Sequence, residues 1–468
     1  MFILEGIIFV LSIILVGLII GKISIKLKYI VSLLSFTILI LTLHIVINDV
    51  RWQLYALYVA VSVLGVLVYF KTFLNRVLKS YFKITTLFIL ILLIVVSLVS
   101  VSVFPMYDLP VPNGDYLIGT ESFVIEDESR IEMYSENSDE FRKTKIQMWY
   151  PAETIVGYEQ APWLEDGLVV ARALSVDTGL PAFVLDHTEN IMSNSYFDAP
   201  INNDLDEYPI VIISHGWRGF RNLHTDFAEE LASLGYIVVS IDHSYGSVAT
   251  VFEEEDIAFL NLDALPERET TTDFLDYANQ LVYTYASDIT VTLDYLEEIN
   301  DSGSSSRFSG KLDLDNIGLL GHSTGGGADV AVAINDTRIS SLLGLDAWVE
   351  PIEELEINKG LSIPSLFLRS GAWETGYNNT DLYQLIESSE YPSTLYQIDG
   401  ITHYDFAMVY MYSPLTKAIG FTGDIESEEL TMMLKSMITD FFDETLRDNP
   451  NSEIDIDEWG EVRLIATD

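Results

Sequence analysis

The chain has 468 residues, 25 Lys+Arg against 70 Asp+Glu, a formal net charge of −45, no cysteine, and yet a mean hydropathy of +0.26. A uniformly acidic soluble protein would not be so apolar, and an embedded one would not carry so many carboxylates, so the two properties must be segregated along the chain. Lack of cysteine excludes disulfides, thiolate metal sites and a cysteine nucleophile, and the acidic balance excludes a nucleic-acid footprint, which needs concentrated Lys and Arg.

Residues 1–104 carry eight Lys/Arg and only Glu5 and Asp49 as acids, net +6, which leaves −51 on the remaining 364 residues. Four apolar stretches lie there, at 6–21, 29–47, 54–70 and 84–104. Each is near the roughly 20 residues that cross a bilayer core as helix, so 1–104 reads as a four-helix transmembrane region. Lys22, Lys26 and Lys28 fall in the first connection, Lys71, Arg76, Lys79 and Lys83 in the third, and only Arg51 beside Asp49 in the second. The positive-inside rule then makes the basic loops cytoplasmic and the carboxyl-terminal part extracytoplasmic. The first stretch lacks the basic start and small-residue cleavage site of a signal peptide. His44, near a span end, reads as interfacial.

Pro105, Pro110 and Pro112 make a stiff exit linker over 105–116, and residues 117–468 read as one α/β domain. Strands are expected at 122–125, 145–150, 209–214, 236–241, 316–320, 341–345, 365–369 and 394–398. The later ones are nearly all apolar, as parallel strands covered on both faces must be. Helical patterns fall at 223–234, 272–299, 326–334, near Leu382 and at 427–446, so strand and helix alternate as in a doubly wound sheet. The region 152–206 interrupts this order with apolar, irregular sequence around Trp163, Val170 and Val184, which reads as an inserted cap or as extra core packing. It is also where an apolar face toward lipid is expected.

The strongest chemical signal is Gly321-His322-Ser323-Thr324-Gly325, placed after an apolar run and before a helical one. Glycines at both flanks permit the sharp strand-to-helix turn that lifts a serine hydroxyl off the sheet. The Thr324 N–H then points from the helix start to where an oxyanion would form. A serine so placed needs an acid and then a histidine later in the chain. His403 is the sole histidine after Ser323. For the acid, Asp346 ends one strand and Glu374 follows the next, and spacing alone leaves both open. Asp405 lies too near His403 to orient it and reads as a loop cap. A second oxyanion donor is expected from the loop His215-Gly216-Trp217, with the Trp217 N–H by position. The scattered carboxylates offer no compact ligand set, and neither a metal nor an organic cofactor is expected.

Several segments together resemble the platelet-activating factor acetylhydrolases, the lipoprotein-associated type of phospholipase A2, and their bacterial relatives in the α/β-hydrolase superfamily. They are H-G-x-x-x-x-R at His215 to Arg221, Ala232-Ser233-Leu234-Gly235-Tyr236-Ile237-Val238, Asp242-His243, Gly-His-Ser-Thr-Gly-Gly at 321–326, Leu345-Asp346-Ala347-Trp348, and the late His403. The likeness covers about 200 residues, from near Pro209 to near Phe406. It implies an α/β-hydrolase sheet and favours Asp346 over Glu374, because the aspartate of the Leu-Asp-Ala-Trp segment is the family's acid. Thr324 departs from the aromatic residue of the eukaryotic enzymes, and the four spans have no counterpart there. The expectation is a membrane-anchored serine ester hydrolase working through Ser323, His403 and Asp346 on acyl esters, short-chain or oxidised phospholipids among them. A general carboxylesterase, an acyltransferase on envelope polymers, and a non-catalytic sensor of the same fold are the alternatives.

Overall fold

A computed structural model describes residues 2–20, 25–48, 50–73, 80–135, 137, 139–447, 449, 452, 454, 456 and 459–467. Lys22, Asp49, Arg76 and Lys79, which carry part of the topology expectation, lie outside the described residues. The chain divides into two compact units.

The first unit comprises 1–107 with Phe183–His187 and Tyr412–Leu415. Its helices are α1 (Ile3–Ile20), α2 (Leu27–Asn48), α3 (Tyr55–Phe73) and α4 (Ser80–Val103), each long and apolar enough to cross a membrane. Aliphatic side chains fill the space between them, Ile8, Leu15, Leu57, Leu64 and Leu90 all being fully buried. Some of the polar groups inside this bundle are paired, which offsets part of the cost of burying them in a low-dielectric interior. Arg51 and Glu5 form a buried ion pair. His44 is buried rather than interfacial, with Nε2 3.0 Å from the Tyr58 hydroxyl. A span-end position suggested contact with headgroups, but helix packing turns the ring inward.

The second unit holds 108–182, 188–411 and 416–468. Its strands are β1 (Leu117–Ile131), β2 (Phe141–Ala152), β3 (Gln160–Pro162), β4 (Met192–Phe197), β5 (Tyr208–Ser214), β6 (Ile237–Asp242), β7 (Ala249–Glu253), β8 (Asp256–Phe259), β9 (Leu312–His322), β10 (Ile339–Leu345), β11 (Ser365–Ser370), β12 (Ser393–Ile398) and β13 (Val462–Thr467). Eleven of them form one sheet in the order β13-β12-β11-β10-β9-β5-β6-β2-β1-β4-β3, and β7 and β8 make a separate hairpin. The six strands from β12 to β6 run parallel to their neighbours, while β2 pairs antiparallel with β6 and β13 with β12.

Strand alternation decides the core. Ile210 and Ile212 point into one apolar cluster, while Val211 and Ile213 point into the other. Helices α5 (Gly167–Asp177), α6 (Thr225–Ser233), α7 (Phe274–Asn300) and α8 (Thr324–Asn335) are followed by the single turn α9 (Glu354–Ile357), α10 (Asn378–Ser388), the single turn α11 (Leu415–Ala418) and α12 (Ser427–Arg447). Leu281, Tyr285 and Leu293 of α7 cover the first face with α8, and Phe227 and Leu231 of α6 cover the second with Met433, Met437 and Phe441 of α12. The chain is therefore an α/β-hydrolase type of sheet, covered on both sides. Region 152–206 adds β3 and β4 to the sheet edge and buries Trp163 and Val170 completely or nearly so. The apolar lipid face expected there is consequently absent at those two residues, because they serve as core.

After β5 the chain builds β6 on one side and then crosses back to lay β9 on the other. Strand order reverses between β5 and β9, and a crevice opens at the carboxyl ends of strands at such a point. The loop beginning at His215 leaves β5 there, and Ser323 follows β9 there.

Candidate active site

Ser323 stands between the last residue of β9 and the first of α8 with φ 56° and ψ −120°. A non-glycine residue holds a positive φ only when its surroundings impose it, at a cost of about 1–3 kcal/mol. Here its N–H donates to the Leu345 carbonyl at 3.0 Å, and its own carbonyl accepts from the Trp348 N–H at 2.9 Å. A side chain at Gly325 would put its Cβ 2.2 Å from the Ser214 carbonyl oxygen, so only glycine lets α8 approach β5 this closely. Arg218 and Asp346 also have positive φ. Three of the five such non-glycine residues among the described residues thus surround one crevice, as expected where strain serves function.

Asp346 follows β10, one residue beyond the position paired in register with His322. Its buried carboxylate accepts three hydrogen bonds, from the Ser370 N–H at 2.8 Å, the Ser370 hydroxyl at 2.6 Å and His403 Nδ1 at 2.9 Å. Nδ1 therefore carries a proton and leaves Nε2 as the acceptor of a neutral ring. Glu374 lies elsewhere: it is 57% exposed and faces Arg463 at 3.9 Å. Asp405 caps its own loop, accepting from the Thr402 and Gly423 N–H groups at 2.7 Å each.

The His403 ring lies between two others. Trp373 stacks on it with ring centres 4.5 Å apart and planes 6° from parallel, and His322 is 4.5 Å away at 37°. His322 Nε2–H donates to the His403 carbonyl at 3.0 Å. Burial, with the neighbouring His403 second, holds the His322 pKa well below its ordinary value, so it stays neutral beside the site. Neither contact was foreseen from the sequence; an aromatic residue directly before the candidate acid Glu374 was the one visible hint.

Gly216 packs so tightly on the nucleophile turn that a Cβ there would meet Ser323 Cβ at 2.9 Å. The next peptide is held in orientation by His215. The His243 N–H donates to His215 Nε2 at 3.2 Å, so Nδ1 bears the proton and donates to the Gly216 carbonyl at 2.7 Å. Fixing that carbonyl turns the Trp217 N–H the opposite way, since the peptide is planar and trans. Neither the Trp217 nor the Thr324 N–H has a hydrogen-bond partner among the described residues. Arg221, at the end of the same loop, is buried on Asp242 at 2.5 Å and on Glu165 and Asp166 at 2.8 Å. Asp329 of α8 accepts from the Ser214 hydroxyl at 2.7 Å, and burial raises its pKa well above the usual carboxylate range. No group of three or more His, Asp and Glu with metal-site geometry occurs among the described residues.

A hydroxyl on a strained turn, an imidazole tied to a buried carboxylate, and two unpartnered N–H groups, one on the residue after Ser323 and one on the residue after Gly216, are the kinds of part that acyl transfer through serine requires. Residues 101–462 match the family model described as platelet-activating factor acetylhydrolase, isoform II. The chain belongs to that family. It is an α/β-hydrolase and an ester hydrolase. The platelet-activating factor acetylhydrolase of Canis lupus familiaris is 22% identical over 322 residues, which take in 64% of this chain and 68% of that one. A probable 1-alkyl-2-acetylglycerophosphocholine esterase of Arthroderma benhamiae is 24% identical over 398 residues, covering 77% of this chain and 95% of that one. Among solved structures, a ferulic acid esterase from Streptomyces cinnamoneus superposes with a TM-score of 0.63 at 21% identity, over 77% of this chain and 99% of that one. That last likeness is one of fold.

Proposed function

We propose that the chain hydrolyses acyl esters of phospholipid-like substrates, with Ser323 as nucleophile, His403 as general base and acid, and Asp346 as the orienting carboxylate. The observation that carries this reading is the 2.9 Å contact of His403 Nδ1 with a buried Asp346 at the strand end beside the Ser323 turn. Ser323 Oγ attacks the acyl carbonyl carbon as its proton passes to His403 Nε2. The C=O electron pair moves onto the oxygen, which the Trp217 and Thr324 N–H groups stabilise. Collapse of this intermediate breaks the ester C–O bond, and the His403 proton goes to the leaving alcohol. Water then attacks the acyl-serine by the same sequence, releasing the acid and restoring Ser323.

In this reading the four apolar helices anchor the enzyme in a membrane with the hydrolase unit on the extracytoplasmic side. Net charge of −51 beyond residue 104 repels anionic headgroups, so lipid approach needs an apolar surface near the site. Tyr404, Ile419 and Phe421 are all exposed, and the rings of Tyr404, which follows His403, and Phe421 lie 5.2 Å apart. The test compares the detergent-solubilised full chain on short-chain phosphatidylcholine, below and above its micelle concentration, with a soluble acetate ester. Hydrolysis of the phospholipid supports the lipid assignment. Turnover of the soluble ester alone would replace it with a general esterase.

A further inference from the structure

The end of β11 and the turn after it hold both the candidate base and its carboxylate partner. Ser370, the last residue of that strand, donates twice to Asp346, and Trp373, three residues on, lies flat against His403. A parallel stack at 4.5 Å between ring centres is an offset face-to-face contact, not an incidental edge contact. The indole face carries negative quadrupole charge, so it attracts an imidazolium more than a neutral imidazole. The other groups facing His403 are the Asp346 carboxylate, the His322 ring that burial keeps neutral, and the Tyr404 ring, set edge-on at 5.7 Å. The charges nearest along the chain are turned away: Asp405 onto the Thr402 and Gly423 backbone, and Glu374 and Asp399 onto Arg463.

We propose that Trp373 is a positioning residue for ester hydrolysis: its indole face fixes the plane of the His403 ring and stabilises the imidazolium that forms when Ser323 loses its proton. This rests on the reading of His403 as the base. Two roles for the indole predict opposite signs. As a face for the cation it raises the basicity of His403, so its removal moves the acid limb of the kcat/KM profile to lower pH. As a mere shield from water it lowers that basicity, so its removal moves the limb to higher pH.

The experiment uses the full chain in detergent, p-nitrophenyl acetate as substrate, and the variants Trp373→Leu and Trp373→Phe. Trp373→Leu is expected to lower kcat about tenfold with KM within about twofold, and to move the acid limb down by about 0.4–1 unit. Trp373→Phe, which keeps a weaker face, is expected midway. A second readout needs no folded leucine variant: the emission of wild type minus that of Trp373→Phe should fall as His403 protonates, with the midpoint of the acid limb, because a stacked imidazolium quenches indole. A limb that stays put or rises, or a difference emission independent of pH, overturns the proposal. Fluorophosphonate labelling separates the two levels. Labelling that survives Ser323→Ala removes the underlying reading, whereas labelling that is lost there beside an unmoved limb in the Trp373 variants removes this inference alone.

Discussion

The Asp346 carboxylate lies 2.9 Å from His403 Nδ1, although 57 residues separate them, and the double hydrogen bond from Ser370 keeps it there. Replacing Asp346 with Asn leaves a donor where His403 needs an acceptor, which selects the wrong tautomer. Asp346→Asn should therefore cost on the order of 10⁴ in kcat. Glu374→Gln, whose carboxylate faces Arg463, should change kcat less than about twofold, as exposed ion pairs contribute little. Steady-state kinetics of the two variants checks this, and the reverse ranking would make Glu374 the acid.

The proposed nucleophile and base could be read from local sequence, because a strand-turn-helix around Gly-x-Ser-x-Gly and a single later histidine are both one-dimensional signals. The acid could not be chosen by spacing, since Asp346 and Glu374 both follow strands. What separates them is a contact in space: His403 Nδ1 lies 2.9 Å from Asp346, whereas Glu374 is half-exposed and faces Arg463 on the edge strand β13. The three-residue β3 is likewise too short to leave a pattern. Arg221 and Asp242 were visible as parts of motifs, yet their purpose is a pair buried across 21 residues, completed by Glu165 and Asp166 from an irregular region. The stacking of Trp373 on His403 depends on two loops meeting in space, and no periodicity records that.

Acid should destabilise the fold through His224. Its ring is buried with neither nitrogen hydrogen-bonded among the described residues, and burial lowers its pKa to about 4. The unfolded chain, with a pKa near 6.5, binds this proton first, so the stability is present above pH 6.5 and is lost as pH falls toward 4. His224→Phe should reduce the loss of unfolding free energy between pH 7 and pH 4 by about 3 kcal/mol. Urea titrations at the two pH values measure it, and an unchanged difference would show that His224 is already charged in the fold.

Charge self-repulsion should be visible as a salt response. With −51 on the residues beyond 104, screening at 1 M NaCl, where the Debye length is about 3 Å against about 10 Å at 0.1 M, should raise the melting temperature. A melting temperature indifferent to NaCl would mean that the carboxylates act only as a solvated surface.

The orientation proposed from Lys26, Lys28, Lys71 and Lys83 with their neighbouring basic residues has a direct check. Protease added to intact cells should digest the hydrolase unit and spare the apolar helices. Digestion only after lysis would reverse the orientation.

The assignment of Ser323 as nucleophile bears the rest of the mechanism, and covalent labelling tests it most directly. The full chain in detergent should react with a fluorophosphonate at one serine, and Ser323→Ala should abolish that labelling while lowering turnover of p-nitrophenyl acetate by several orders of magnitude. Labelling and turnover that persist in Ser323→Ala would contradict the account.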